Sequence, residues 1–289
     1  MTSSKSSPLR FYMSESVSSA GSAINEDGFV VVDDGAWVVD GASGLGDANI
    51  TPGESDAHWL TSCILKHLLD SLPINAVGRL EDVTRRVFRE FDGLNKPNQM
   101  DQYKYPSASL VGCVFSEGKF DAVRLGDCTL LLQSVSGEVV QGFSRSPLRN
   151  LDDAVVHEMV QRLESEQVKG PDAYRSVLSL LRANRNLINE EGGYAALTMG
   201  KNRSIAPDFF EIQVNESIRG LVCSDGFWHL VETFHLYTEQ NIIEECERKG
   251  LNAMVTELRL AEYDDPDCRS FPRLKSSDDA TAVLFRLSE

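Results

Sequence analysis

Five short acidic segments, running from residue 25 to residue 279, each abut a stretch that reads as the end of a β-strand. They are Asn25-Glu26-Asp27, Val39-Asp40-Gly41, Gly126-Asp127-Cys128, Ser224-Asp225-Gly226 and Ser277-Asp278-Asp279. Acids at strand ends can meet on one rim of a sheet, where they repel one another unless cations lie between them. A donor set made only of oxygen suits hard divalent ions, Mg2+ or Mn2+, rather than zinc. The pattern therefore constrains the fold and points to phosphate chemistry at a metal centre built from carboxylates.

One pair can be placed from local chemistry. Gly28 to Val32 and Ala36 to Val39 read as strands, joined through Asp33-Asp34-Gly35, a strong hairpin signal. A turn centred on Asp33 and Asp34 sets Asp27 opposite Asp40. A loop one residue longer sets Asp27 opposite Gly41, with Asp40 its neighbour. Like charges facing across a ladder are unfavourable, and a bridging cation reverses that sign. Either acid alone reads more readily as a solvated turn residue, since Asp-Gly is a common turn dipeptide. Asp127 interrupts an apolar run from Ala122 to Leu132, which also suits a tight turn between strands. Arg219 to Cys223 reads as a buried strand with Asp225 at its rim, and Asp278 and Asp279 precede a terminal strand from Ala280 to Leu287.

Taken in order, Asn-Glu-Asp, Val-Val-Asp-Gly-Ala-Ser-Gly, Gly-Asp-Cys, Ser-Asp-Gly-Phe-Trp and Ser-Asp-Asp-Ala-Thr resemble the metal-dependent protein phosphatases of type 2C, over about Phe11 to Leu287. The resemblance implies an α+β fold, a four-layer α-β-β-α sandwich of two antiparallel sheets flanked by helices. It implies two Mn2+ or Mg2+ ions, with a third held more weakly, and hydrolysis of phosphoserine and phosphothreonine by a metal-activated water. It assigns Asp27, Asp40, the carbonyl of Gly41, Asp225 and Asp278 to the ion pair, Asp127 to the third ion, and Glu26 to a supporting role. Two further readings are a pseudophosphatase that binds partners without turnover, and a metal-dependent hydrolase of a small phosphorylated metabolite.

Two departures stand out. The family arginine that grips the substrate phosphate lies five residues before the first ligand, where this chain has Ser22. On that basis the clamp is altered, and Ser22→Arg is expected to lower KM. Arg10, Arg124, Arg145 and Arg203 are other arginines that could serve. A histidine found in the second motif of many members is replaced within Asp40-Gly41-Ala42-Ser43-Gly44, and Ser43 lacks a suitable pKa to act as an acid in its place.

The chain has 289 residues, 42% of them hydrophobic, enough for one large domain or two small ones. No linker divides it, so one catalytic domain is expected over 9–289 after a serine-rich disordered tail over 1–8. The net charge of −16 argues against nucleic acid and anionic membranes and fits a phosphoprotein substrate. The six cysteines show no Cys-x-x-Cys spacing and read as buried free thiols. No apolar run approaches the ~18 residues of a membrane span, and a cytoplasmic location is expected. The five histidines read as surface or satisfied core residues.

Helical periodicity marks 54–71, 80–94, 151–166, 172–188, 231–236, 238–249 and 251–263. The stretches 108–115, 119–125, 129–134 and 138–143 read as one antiparallel meander. A flap near the site is expected within 144–193. Its two helices read either as that flap or as ordinary core-packing helices.

Overall fold

The computed structural model describes residues 8–71, 75–94, 100–143, 145–165 and 172–289. Apart from Pro8, the expected tail lies outside them. The elements run in the order β1 (Arg10–Ser19), β2 (Asp27–Val32), β3 (Gly35–Ala42), α1 (Asp56–Leu69), α2 (Ala76–Asp92), β4 (Ser107–Ser116), β5 (Lys119–Leu125), β6 (Thr129–Ser134) and β7 (Val139–Gly142). There follow α3 (Pro147–Glu164), α4 (Asp172–Arg185), β8 (Leu197–Thr198), β9 (Asp208–Gln213), β10 (Ile218–Cys223), α5 (Asp225–Glu232), α6 (Ile242–Lys249), α7 (Leu251–Asp264) and β11 (Ala280–Ser288).

Two antiparallel sheets form, one ordered β1-β11-β10-β6-β7 and the other β2-β3-β4-β5-β9 with β8 added beside β4. The period of two along each strand sorts side chains between layers. On β3, Ala36 and Val38 face the partner sheet, while Trp37 and Val39 face α1 and α2. On β10, Val222 joins the inter-sheet core, while Leu221 and Cys223 pack under α5, α6 and α7. Central strands with both faces covered are rich in apolar residues, and nine of the ten residues of β4 are buried, Ser107 and Ser109 among them. Between the sheets, Phe285 stacks on Phe11 at 4.9 Å and on Phe120 at 6.0 Å. Burying a ring of this kind stabilises by roughly 1.5–3 kcal/mol. The result is the four-layer α+β sandwich implied by the resemblance.

The β2–β3 turn lies over Asp33 and Asp34, pairing Val32 with Gly35 and Asp27 with Asp40. Arg79 on α2, almost wholly buried, anchors the turn through Asp34 at 2.9 Å.

The expected single meander is instead split. β4 and β5 belong to one sheet, β6 and β7 to the other, and the chain crosses between them at Gly126-Asp127-Cys128. Gly126 makes the crossing possible: its φ is +73°, and a Cβ there would lie 1.9 Å from Ser109 Oγ. Alternation is the same within a hairpin and across a change of sheet, so the sequence pattern could not separate them.

Helix starts also differ from expectation. α2 begins at Ala76 behind the Asn75 cap, whose side chain accepts from Gly78 N. α3 begins at Pro147, with Ser146 Oγ accepting from Leu148 N. α5 begins at Asp225 itself. α3 and α4 lie outside the sandwich and share a small core of Val155, Met159, Ala173 and Val177. Among the described residues, no helix is long and apolar enough to cross a membrane.

Candidate metal centre

The acids approach one end of the sandwich from separate elements. Asp27 opens β2, Asp40 lies near the end of β3, Asp127 marks the sheet crossing, Asp225 opens α5 and Asp278 precedes β11. Asp40, Gly41, Asp127, Asp225 and Asp278 line one cavity of about 220 Å³. Asp27 is buried behind them, directly paired with Asp40. Its Oδ2 is buried without a hydrogen-bond partner among the described residues.

The charge balance of this group is unfavourable by itself. Burial, then Asp225, Asp279 and Asp278, push the Asp27 carboxyl well above the usual range, against a hydrogen bond from Ser224. Burial, then Asp27, Asp225 and Asp127, do the same to Asp40. Asp127 is raised by burial and Asp225, although Arg149 and the Ser109 hydroxyl, which donates to Oδ1 at 2.8 Å, oppose the shift. Asp278 is pushed up to about 6 by burial, with the Lys275 ammonium 2.8 Å from Oδ1 pulling the other way. Asp225 is the exception. Burial would raise it, but Arg149 holds it down at about 2. His229 is pushed down to about 4 by burial, so it is neutral at pH 7 and supplies no lasting charge to Asp225. Asp40 and Asp225 are close enough to share a hydrogen bond, which two carboxyls can do only by keeping a proton.

These observations test whether hard divalent ions fit. The donors are oxygens, one buried oxygen has no partner, and burial with mutual repulsion raises several of the carboxyls, an effect that a bound cation reverses. The residues fit such ions.

Neighbouring residues have structural duties. Asp279 turns away from the cavity and accepts from Gly21 N at 2.7 Å and Glu26 N at 2.6 Å, tying the loop before β2 to β11. Glu26 accepts from Ser43 Oγ at 2.9 Å, and Ser43 Oγ in turn accepts from Ala57 N in the first turn of α1. Gly41 donates to Glu26 O, and any Cβ there would lie 2.6 Å from Thr61 Oγ1.

The arginines considered from sequence are engaged elsewhere. Arg10 lies on the edge strand β1 opposite Ser288. Arg124 pairs with Asp208, Arg145 with Asp153, and Arg203 with Asp92. Ser22 is exposed, and its hydroxyl donates to Ile24 O. Three guanidinium groups line the cavity: Arg185, which donates to Ser107 Oγ, Arg273, which pairs with Asp265, and Arg149, on the first turn of α3, with Nη1 3.8 Å from Asp225 Oδ2. Arg149 is the one nearest an acid assigned from sequence. It removes the premise that the site lacks an arginine. The signal for it was Ser146-Pro147, an N-cap followed by proline, which places the helix start four residues earlier than periodicity alone. Asp152, one turn further on, lines the same cavity and is pushed up to about 7 by burial, Asp127 and Asp225. His229 is neither a surface nor a satisfied core histidine: it is buried at the cavity wall with Nδ1 unpartnered.

A second cluster lies between α1 and α2, where ligand atoms of Cys63, His67 and Glu90 all fall within 4.8 Å of one another. Glu90 Oε1 lies 2.8 Å from Lys66 Nζ and 2.9 Å from His67 Nε2, and Cys63 Sγ donates to Glu90 Oε2, while His67 Nδ1 is buried without a partner among the described residues, so His67 too is not a satisfied core histidine. All six cysteines are buried and unpaired.

Neither a protein-family model nor a curated protein matches this chain by sequence. Solved structures do match it in fold. The serine/threonine phosphatase PstP/Ppp of Mycobacterium tuberculosis is 16% identical, over 97% of this chain and 99% of that one, at a TM-score of 0.53. Its catalytic domain, in complex with two manganese ions, matches at a TM-score of 0.54. The PPM Ser-Thr phosphatase MsPP of Mycobacterium smegmatis, in complex with cacodylate, is 18% identical over 96% and 99% of the two chains, at 0.54. PppA of Pseudomonas aeruginosa is 18% identical over 98% and 99%, at 0.53. The chain therefore has the fold of these phosphatases, in agreement with the resemblance drawn from its motifs.

Proposed function

We propose that this chain is a metal-dependent phosphomonoesterase acting on phosphoserine and phosphothreonine in proteins. One observation carries the reading. Asp27 and Asp40 face each other across a ladder at the same end of the sandwich as Asp127, Asp225 and Asp278, with a buried Asp27 oxygen unpartnered. A fold gains nothing from opposed buried carboxylates unless a cation joins them. The structures of like fold are named as serine/threonine phosphatases, and one of them holds two manganese ions.

In this reading Asp27, Asp40, Gly41, Asp225 and Asp278 hold two Mn2+ or Mg2+ ions, and Asp127 holds a third more weakly. The chemistry such ions supply is activation of a water and neutralisation of phosphoryl charge. The chain's own residues orient and tune. Asp225 is kept anionic by Arg149 and lies in the first turn of α5, where backbone amides favour negative charge. Ser109 fixes the Asp127 carboxyl, and Asp279 and Glu26 lock the loop that carries Asp27. Phosphoryl transfer depends more on positioning and charge stabilisation than on covalent catalysis, which suits a rim of fixed acids. Residues 9–289 act as one catalytic unit. The α3–α4 pair forms the wall of the cavity opposite the acids, and we assign to it the role of the flap, where substrate choice resides.

The test is hydrolysis of p-nitrophenyl phosphate and of a phosphothreonine peptide with Mn2+, with excess chelator, and by Asp225→Asn. Activity that needs Mn2+ and is lost in the variant supports the reading. Full turnover in chelator rejects it.

A further inference from the structure

The guanidinium of Arg149 enters the acid cavity from α3, and its surroundings leave it incompletely used. Its Nε lies 3.1 Å from Glu232 Oε2 and its Nη1 3.8 Å from Asp225 Oδ2. Its Nη2 is buried and finds no hydrogen-bond partner among the described residues. Glu232 and Asp225 compensate its charge, but neither meets the outer nitrogen. A buried donor left unmet costs about 1–3 kcal/mol, so a partner is expected there. Asp127 and Asp152 also favour its charged form. Arg149 lies in the first turn of α3, where the helix macrodipole already presents positive charge. An anion with several acceptor oxygens would satisfy the free nitrogen and the helix end together.

We propose that Arg149 binds the phosphate dianion of the substrate, so that the clamp is supplied by α3 and not by the loop that carries Ser22. This rests on the phosphatase reading for the identity of the anion. A dianion touching Nη2 lies beside Asp225, one of the acids assigned to the ions. Ser22, by contrast, is exposed with its hydroxyl given to Ile24 O. The α3–α4 pair is thereby part of the binding site, and its packing sets where the phosphate is held.

The alternative role for Arg149 is to neutralise Asp225 and nothing more. The experiment separates the two. Inorganic phosphate is titrated calorimetrically into the Mn2+-loaded full chain, and KM and kcat are measured with p-nitrophenyl phosphate. The variants are Arg149→Met, Arg149→Lys, which keeps the charge but loses the fork, and Arg145→Ala. The last removes an exposed arginine that also lies near Glu232, at 3.5 Å. Arg149→Met is expected to weaken phosphate binding by roughly ten- to a hundredfold, the range for a charged hydrogen bond, and to raise KM. Arg149→Lys falls between, and Arg145→Ala matches the parent. Mn2+ affinity without phosphate should not fall in Arg149→Met, because a competing cation has been removed. Should Arg149→Met fail to fold, Arg149→Lys decides alone, by whether phosphate affinity drops. Unchanged phosphate affinity in the folded variants, or no phosphate binding by the loaded parent, overturns the inference. Arg149-dependent phosphate binding without hydrolysis of any phosphoester keeps the inference and removes the proposed function. Hydrolysis with an unaltered KM in both Arg149 variants does the reverse.

Discussion

The two walls of the cavity follow different rules. One is the sandwich end, where Asp27, Asp40, Asp127, Asp225 and Asp278 are fixed by strand register, a sheet crossing and a helix start. The other is the α3–α4 pair, which brings Arg149 and Asp152 from outside the sandwich on a core of its own. The first wall is continuous with the largest clusters of buried side chains and inherits their rigidity. The second stands on Val155, Met159, Ala173 and Val177, with Leu163, Leu181 and Leu274 packed at the margin. The sandwich end carries the acids assigned from sequence, with Lys275 beside Asp278, and the helix pair carries Arg149 and Arg185 together with Asp152. The difference suggests that metal binding and substrate capture can be perturbed separately.

The largest expected effect breaks the acid wall. Asp225→Asn removes an acid assigned to the ions, and the loss of several kcal/mol of charge stabilisation lowers Mn2+-dependent turnover by about 10²–10⁴-fold. Steady-state rates on p-nitrophenyl phosphate check it, and a rate within tenfold of the parent would remove Asp225 from the site.

The next effect compares the cores beneath the walls. Phe285→Ala, between Phe11 and Phe120 in the inter-sheet core, should cost about 3–5 kcal/mol of global stability. Val177→Ala, in the α3–α4 core, should cost roughly 1–3 kcal/mol. The latter loss should appear as faster amide exchange confined to α3 and α4, with weaker phosphate binding and unchanged Mn2+ affinity. Urea melts and hydrogen exchange measure both. Equal exchange throughout the chain in Val177→Ala would erase the distinction between the walls.

A smaller effect depends on pH. Asp278 at about 6 and Asp152 at about 7 stand above their unfolded values and together outweigh the opposite effect of His229 at about 4, so the folded, metal-free protein binds more protons than the unfolded chain between about pH 4 and pH 7. Stability of the metal-free protein therefore falls as pH rises through that window, and the raised Asp27 and Asp40 act in the same direction. Melting in chelator should occur at a temperature on the order of 5 °C lower at pH 8 than at pH 5. Saturating Mn2+ should shrink that gap. A metal-free protein more stable at pH 8 would contradict the assigned charge balance.

The smallest expected effect is Ser22→Arg. With Arg149 already at the cavity, the added arginine should leave KM within about twofold, well under the roughly tenfold or more of a charged hydrogen bond. A clear fall in KM would move the clamp back to the loop.

By itself the sequence determined the rim of this protein. Asp33-Asp34-Gly35 permits a short turn that leaves two registers open, and the structure takes the one that sets Asp27 against Asp40. The apolar stretches Ala36 to Val39 and Leu110 to Phe115 likewise mark strands covered on both faces. These features are legible because period-two alternation and turn chemistry act over a few residues. The tertiary structure alone decided what depends on long-range placement. It moved β6 and β7 into the other sheet through Gly126, since alternation does not say which sheet a strand joins. It gave Asp279 its own duty, accepting from Gly21 N and Glu26 N, while Asp278, the one assigned from the resemblance, lines the cavity. It brought Arg149 beside Asp225, although a charge on a helix carries no sequence mark of the distant element it will meet. The acids could be read because each belongs to a strand end, whereas their counter-charge could not, because its position is fixed by how two helices pack outside the sandwich.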